Sequence, residues 1–237
     1  HMKKFLSLLL AMTMVMSLIV VPARADGELA GTAGGTLKIK QTGNEINALT
    51  IRKTDTCITL TADVENKSLS LGSTPITSPN ATYKWSSGDS NVITVDASTG
   101  ALTPVKGGDT TITCTATLSG NTTVKSGNKT VQGTLSKQIP VTVVDCTDGV
   151  ASFTVNGKQY SVSSGSIDVY KVGDAALTKG SFTNIQYRTN YTEDTDEISY
   201  TSNNNSGTLS VPVKYNDSLT GTTSISITEK KVDAPTV

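Results

Sequence analysis

Tyr83-Lys84-Trp85-Ser86-Ser87-Gly88-Asp89, followed by Val92, Val95-Asp96, Thr99-Gly100, Gly107-Gly108 and Thr110-Thr111-Ile112-Thr113, is the stretch that decides the fold. Tyr83 and Trp85 flank Lys84, so in an extended chain both aromatics share one face and the lysine points away. Ser98-Thr99-Gly100 is a turn between two short apolar runs. Beyond it, Ile112, Cys114, Ala116 and Leu118 alternate with threonines, the two-residue period of a strand with one buried face.

The same reading extends in both directions. Strands are expected at Thr36–Gln41, Ile46–Lys53 and Cys57–Glu65, with a turn at Thr42-Gly43-Asn44 and a loop over Lys67–Asn80. Ala81–Ser86, Val92–Asp96, Ala101–Val105, Thr110–Leu118 and Ile139–Val144 continue the series, and 119–138 reads as a long polar hairpin. About seven strands at this spacing predict a sandwich. Further on, Asn156-Gly157 between Ala151–Val155 and Lys158–Val162 is a strong hairpin signal, because both turn residues tolerate positive φ. Strands are also expected at Ser166–Val172, Ser181–Arg188, Glu197–Thr201, Gly207–Tyr215 and Thr222–Glu229, giving a second β-sandwich.

The residues from Tyr83 to Ala116 resemble the signature of the bacterial immunoglobulin-like domain, group 2, and the resemblance spans 36–145. The insertion between Leu118 and Lys137 and the cysteines within strands depart from that pattern. With the second sandwich, which resembles no particular family, the expected fold is all-β, two tandem immunoglobulin-like sandwiches; the resemblance of 36–145 implies a role in adhesion, in display or as a structural spacer on a bacterial surface. The expected organisation is 1–25 as a leader, 26–35 as a flexible lead, 36–145 and 147–231 as sandwich domains and 232–237 as a tail.

His1 before Met2 reads as a cloning scar. Lys3 and Lys4, the apolar run Phe5–Val21 and Ala23-Arg24-Ala25 have the form of a cleaved signal peptide, so a secreted, extracellular or cell-surface location is expected. Cleavage would leave 212 of the 237 residues, enough for two cores. Those 212 carry 17 basic and 20 acidic residues, a net charge of 17 − 20 = −3. A faintly acidic chain without a basic patch argues against nucleic acid and anionic membranes as partners, and no membrane span is expected after the leader.

His1 is the sole histidine, so no catalytic triad or histidine-ligated metal is available after the leader. A hydrolase would have to rely on two carboxylates, and no such pair is marked by the sequence. The expectation is therefore no enzyme, and no cofactor or metal is assigned. Trp85 is expected in the core, and Gly107-Gly108 in a turn rather than a phosphate cradle.

Cys57, Cys114 and Cys146 leave the disulfide pairing open. Cys57–Cys114 has the analogy of an inter-sheet bridge. Strand parity favours Cys57–Cys146, with Cys114 a buried thiol, since Cys57 is out of phase with Leu60.

The best exposed binding candidate is Tyr187-Arg188-Thr189-Asn190-Tyr191 with the acids that follow. Tyr187 and Tyr191 would stack on a sugar while Arg188 or Asn190 donates hydrogen bonds. The acids of 193–197 supply oxygen ligands of the kind calcium uses but lack EF-hand spacing. The expected partner is a protein or glycan ligand at a cell surface, a carbohydrate-binding module being the alternative. Self-association through open edge strands is a further expectation.

Overall fold

The computed structural model describes residues 27–232, so the expected signal peptide and residues 233–237 lie outside the described residues. The chain divides into two compact units, His1–Val143 and Val144–Val237.

The first unit contains β1 (Glu28–Ala30), β2 (Thr32–Gln41), β3 (Asn44–Glu45), β4 (Leu49–Arg52), β5 (Ile58–Leu71), β6 (Thr74–Pro75), β7 (Asn80–Ser87), β8 (Ile93–Val95), β9 (Ala101–Pro104), β10 (Gly108–Val124) and β11 (Gly127–Val144). One sheet has the order β3-β2-β5-β9-β8, with β6 also on β5. The other has the order β1-β11-β10-β7, with β4 also on β11. Removing the short additions leaves β2-β5-β9-β8 facing β11-β10-β7, the A-B-E-D and G-F-C arrangement of an immunoglobulin constant-type sandwich.

The motif residues have identifiable jobs in this unit. Trp85 is buried on β7, the strand that corresponds to C, beside Ile112 and Leu60 in one core. Asp96 Oδ1 accepts hydrogen bonds from the backbone of Ser98 and Thr99, at 3.0 and 2.7 Å, and folds the turn after β8. Gly100 closes that turn at φ +74°, where a side chain is strained. A Cβ there would lie 2.4 Å from the Leu60 carbonyl and 3.0 Å from the indole of Trp85. Glycine at 100 thus lets the turn pack on the tryptophan.

Three expectations change. The 26–35 lead contains β1 and the start of β2, where Leu29 and Ala33 pack on the core. Lys67–Leu71, expected as loop, continues β5 and buries Leu69. A bulge hides this in the sequence: Gly34 pairs with Ser68 but Thr36 with Glu65, so Gly35 faces two residues, Asn66 and Lys67. The inward positions Val64 and Leu69 are therefore an odd number apart, and simple alternation fails between them. Thirdly, the hairpin expected over 119–138 is present but is not a separate insertion: its arms continue the strands expected at Thr110–Leu118 and Ile139–Val144, pairing without a break from Gly108↔Val143 to Val124↔Gly127.

The second unit contains β12 (Val150–Val155), β13 (Lys158–Ser161), β14 (Ile167–Val172), β15 (Thr183–Tyr187), β16 (Tyr191–Glu193), β17 (Ser199–Asn203), β18 (Ser206–Tyr215) and β19 (Leu219–Val232). Sheets β13-β12-β15 and β14-β19-β18-β16, with β17 also on β18, enclose one core. The β12–β13 turn has Asn156 at φ +50° and Gly157 at φ +76°, as the Asn-Gly pair requires. Phe153 is at the centre, stacked on Tyr160 at 5.7 Å and edge-on to Phe182 at 5.5 Å.

Candidate functional site

The four residues expected to bind a ligand lie at the corner where β15 passes into β16. Tyr187 is half-buried and packs on the second core. Arg188 Nε donates to Asp148 Oδ1 at 2.9 Å, and a terminal guanidinium nitrogen donates to the Val162 carbonyl at 3.0 Å. Asn190 adopts φ +72°, and its carbonyl accepts from the Asn216 amide at 2.9 Å. The Tyr191 hydroxyl donates to the Asp145 carbonyl at 3.0 Å, and its ring meets Tyr215 edge-on at 5.2 Å. Burial pushes the Tyr191 phenol up to about 12. Instead of a solvent-facing tyrosine pair, the structure has two half-buried rings packed on the core, with the Tyr191 hydroxyl and one Arg188 nitrogen on backbone carbonyls and Arg188 Nε on the Asp148 carboxylate.

The neighbouring acids are divided rather than gathered. Asp194 is held below the usual carboxylate range by the Thr195 amide, with help from Lys214. Glu197 pairs with Lys179. Among the described residues, no group of three or more His, Cys, Asp or Glu side chains is placed to share a cation.

The cysteines are all thiols, so neither expected bridge is formed. Cys114 is buried on β10, as the strand parity gives it, whereas Cys57 is exposed just before β5 at φ +59°, outside the strand expected to begin there. Burial pushes the Cys114 thiol up to about 12, which makes it a packing group rather than a nucleophile.

A different surface has a chemical character of its own. On the outer face of the first unit, cross-strand rows run over β7, β10 and β11: Ser86–Thr113–Gln138, Lys84–Thr115–Ser136, Thr82–Thr117–Thr134 and Asn80–Ser119–Gln132. Eleven of these twelve residues are Ser, Thr, Asn or Gln, and Lys84 is the charged one. Two carboxylates border the rows: Glu28 on β1, which accepts from Gln132 Nε2 at 2.9 Å, and Asp109 on β10, which accepts from the Thr142 hydroxyl at 2.6 Å. Neighbouring strands are about 4.8 Å apart, and threonines repeat every ~6.8 Å along a strand. Beneath the rows, Ile112, Cys114, Ala116 and Leu118 are fully buried, which fixes the outward phase of Thr113, Thr115 and Thr117. Gln138 Nε2 donates to the hydroxyls of Thr111 and Thr113 at 3.0 and 3.3 Å. Among the described residues the hydroxyls of Thr82, Thr115, Thr117 and Thr134 have no internal partner.

The opposite outer face of the same unit is built from charge. Lys38 pairs with Glu65 at 2.8 Å and Glu45 at 3.3 Å, and Lys40 with Asp63 at 3.6 Å. The second unit repeats the uncharged pattern on β17, β18 and β19. Its rows Asn203–Ser206–Thr228, Thr201–Thr208–Ser226 and Ser199–Ser210–Ser224 contain no charged residue.

These faces were not singled out from the sequence, although their signal is present in it. Thr111-x-Thr113-x-Thr115-x-Thr117 and Ser224-x-Ser226-x-Thr228 are visible alternations. The inward residues of each strand draw the eye because they make the core. That the outward ones join across three strands depends on register, which only the pairing supplies.

No family model matches the chain, and no curated protein matches it. Solved structures with some likeness are cadherin ectodomains. Human protocadherin-24 EC1-2 has 11% identity and a TM-score of 0.30, with 85% of this chain and 100% of that one covered. Mouse cadherin-23 EC22-24 has 15% identity and a TM-score of 0.26, with 85% and 68% covered. Human desmocollin-1 ectodomain has 10% identity and a TM-score of 0.22, with 83% and 41% covered. Likeness at this level carries no argument about function. Among the described residues, no helix is long and apolar enough to cross a membrane.

Proposed function

We propose that this is an exported, non-catalytic adhesion or display protein of the bacterial surface or its surroundings, its two β-sandwiches serving as rigid bodies that carry contact faces. The supporting observation is the field of hydroxyl and amide side chains, with few charges, on β7, β10 and β11, held over a fully buried row of β10 side chains. A rigid sheet fixes the spacing of its outward groups before contact, so little ordering entropy is lost on binding. The export part of the reading rests on the leader-like first 25 residues, and assignment to the group 2 immunoglobulin-like family rests on the Tyr83–Ala116 motif.

An antibody raised against the purified protein tests the reading in the source cells. Labelling of intact, unpermeabilised cells or recovery from the medium is the expected result. Confinement to the cytosol overturns it.

A further inference from the structure

We infer that the outer face of β7, β10 and β11 docks an uncharged polysaccharide presented as a flat solid. The inference rests on the display reading above and supplies its ligand class. The face meets three requirements of such a ligand.

First, its chemistry is uniform. Four consecutive rows place a short hydroxyl or amide side chain at almost every position, and the long arms of a single residue, Lys84, rise from it. Covering a Lys or Glu with a neutral ligand strips water from a charge that the ligand does not replace, a large cost. Covering a threonine costs far less, and a sugar hydroxyl can return the hydrogen bond. Threonine also exposes a methyl group, which suits the C–H patches of a pyranose ring.

Second, its neutrality is specific to this side of the unit. If outward positions were merely solvated strand positions, both outer faces would share a composition. Instead Lys38, Lys40, Asp63, Glu65 and Glu45 make their ion pairs on the other sheet. A face with one lysine in twelve positions and carboxylates at its borders suits an uncharged polymer better than a polyanion.

Third, the pattern recurs in the second unit on β17, β18 and β19, where neither the core residues nor the turn motifs are shared. Two separate cores that each carry such a field give a polymer two places to attach.

A periodic ligand needs no cleft. A polymer surface repeats, so affinity comes from summing many shallow hydrogen bonds rather than from one enclosed sugar. Aromatic stacking is not part of this face, because Tyr83 and Trp85 point into the core.

The test is a depletion assay of the purified full chain against microcrystalline cellulose, chitin and insoluble β-glucan, with pectate gel as a charged control. Expected are depletion by at least one neutral solid and none by pectate. Thr113→Lys/Thr117→Lys should lower the apparent affinity at least tenfold. Thr117→Val, which keeps the shape and removes one hydroxyl, should lower it about fivefold, the worth of one hydrogen bond. Lys40→Thr, on the charged face, should leave it unchanged. Unaltered melting temperature in each variant separates lost binding from lost fold.

Absence of binding to all three neutral solids overturns the inference. So does binding that Thr113→Lys/Thr117→Lys leaves intact. Shaping of ice crystals without polysaccharide binding would reassign the face to ice. Dimerisation abolished by the same double substitution would reassign it to a second copy of the chain. Any of these outcomes alongside surface labelling of intact cells leaves the display reading standing, whereas cytosolic confinement removes that reading itself.

Discussion

In the first unit the core is aliphatic around the single tryptophan, Trp85 on β7. In the second it is aromatic: Phe153, Tyr160, Phe182 and Tyr200 are in ring contact, and a buried Lys171–Glu229 pair lies beside them at 2.6 Å. Yet the wiring has common steps. In both, the last two strands form an antiparallel ladder, β10–β11 or β18–β19. In both, the final strand takes an early strand in parallel on its other side, β1 or β14. Two wiring steps and the outward hydroxyl rows thus recur in units whose other strand order and core filling differ. What fills a sandwich and what it shows to solvent are set by opposite phases of the same strands, so they can vary separately.

The largest expected effects come from emptying each core. Phe153→Ala should destabilise the second unit by about 4 kcal/mol, and Trp85→Ala the first by a similar amount, because each leaves a large cavity. Hydrogen exchange followed by mass spectrometry reads the two units apart. Protection lost in both units after either change would show that they do not open separately, and would break the comparison.

Next is the buried pair, which has no counterpart in the first core. Burial alone would raise the Glu229 carboxyl, but Lys171 and the Tyr200 hydroxyl, 2.7 Å away, outweigh it and hold it below its usual range. Glu229→Gln strands the lysine charge and should cost the second unit about 3 kcal/mol. The sign of the pH effect follows. A carboxyl lowered in the folded state stabilises fully above its unfolded value of 4.5 and loses that contribution as pH falls through the folded value. Acid titration should therefore weaken the second unit less steeply in Glu229→Gln than in the native chain. Equal slopes would remove the pair from the account.

Much of the first unit was legible because its turns carry unusual residues. Asp96 and Gly100 have to be what they are for the turn to sit on Trp85, and the sequence displays both. The second unit offered the same kind of signal only at Asn156-Gly157. The β5 bulge was illegible because Gly35 and Asn66 shift the phase by one residue without any change in composition. The Tyr187–Tyr191 corner misled for a related reason. Tyrosine beside arginine and asparagine looks alike whether it binds a ligand or the chain's own carbonyls, and the Asp145 and Val162 partners are distant in sequence.

Glycine substitutions give the smallest effects and sharpen this point. Gly157→Ala strains a positive-φ turn that has open space around it, at a cost of about 1 kcal/mol. Gly100→Ala adds a clash with the Leu60 carbonyl to the same strain and should cost about 2 kcal/mol or more. Chemical denaturation measures both; equal losses would mean that the motif turn is not packed on the core.

The central claim is that, among the described residues, β10 turns its threonines outward while the residues between them are buried. Spin labels placed one at a time from Thr111 to Leu118, in a chain whose native cysteines are replaced, read this directly. The account predicts mobile labels at 111, 113, 115 and 117 and immobile ones at 112, 114, 116 and 118. Uniform mobility along the segment, or alternation in the opposite phase, would contradict it.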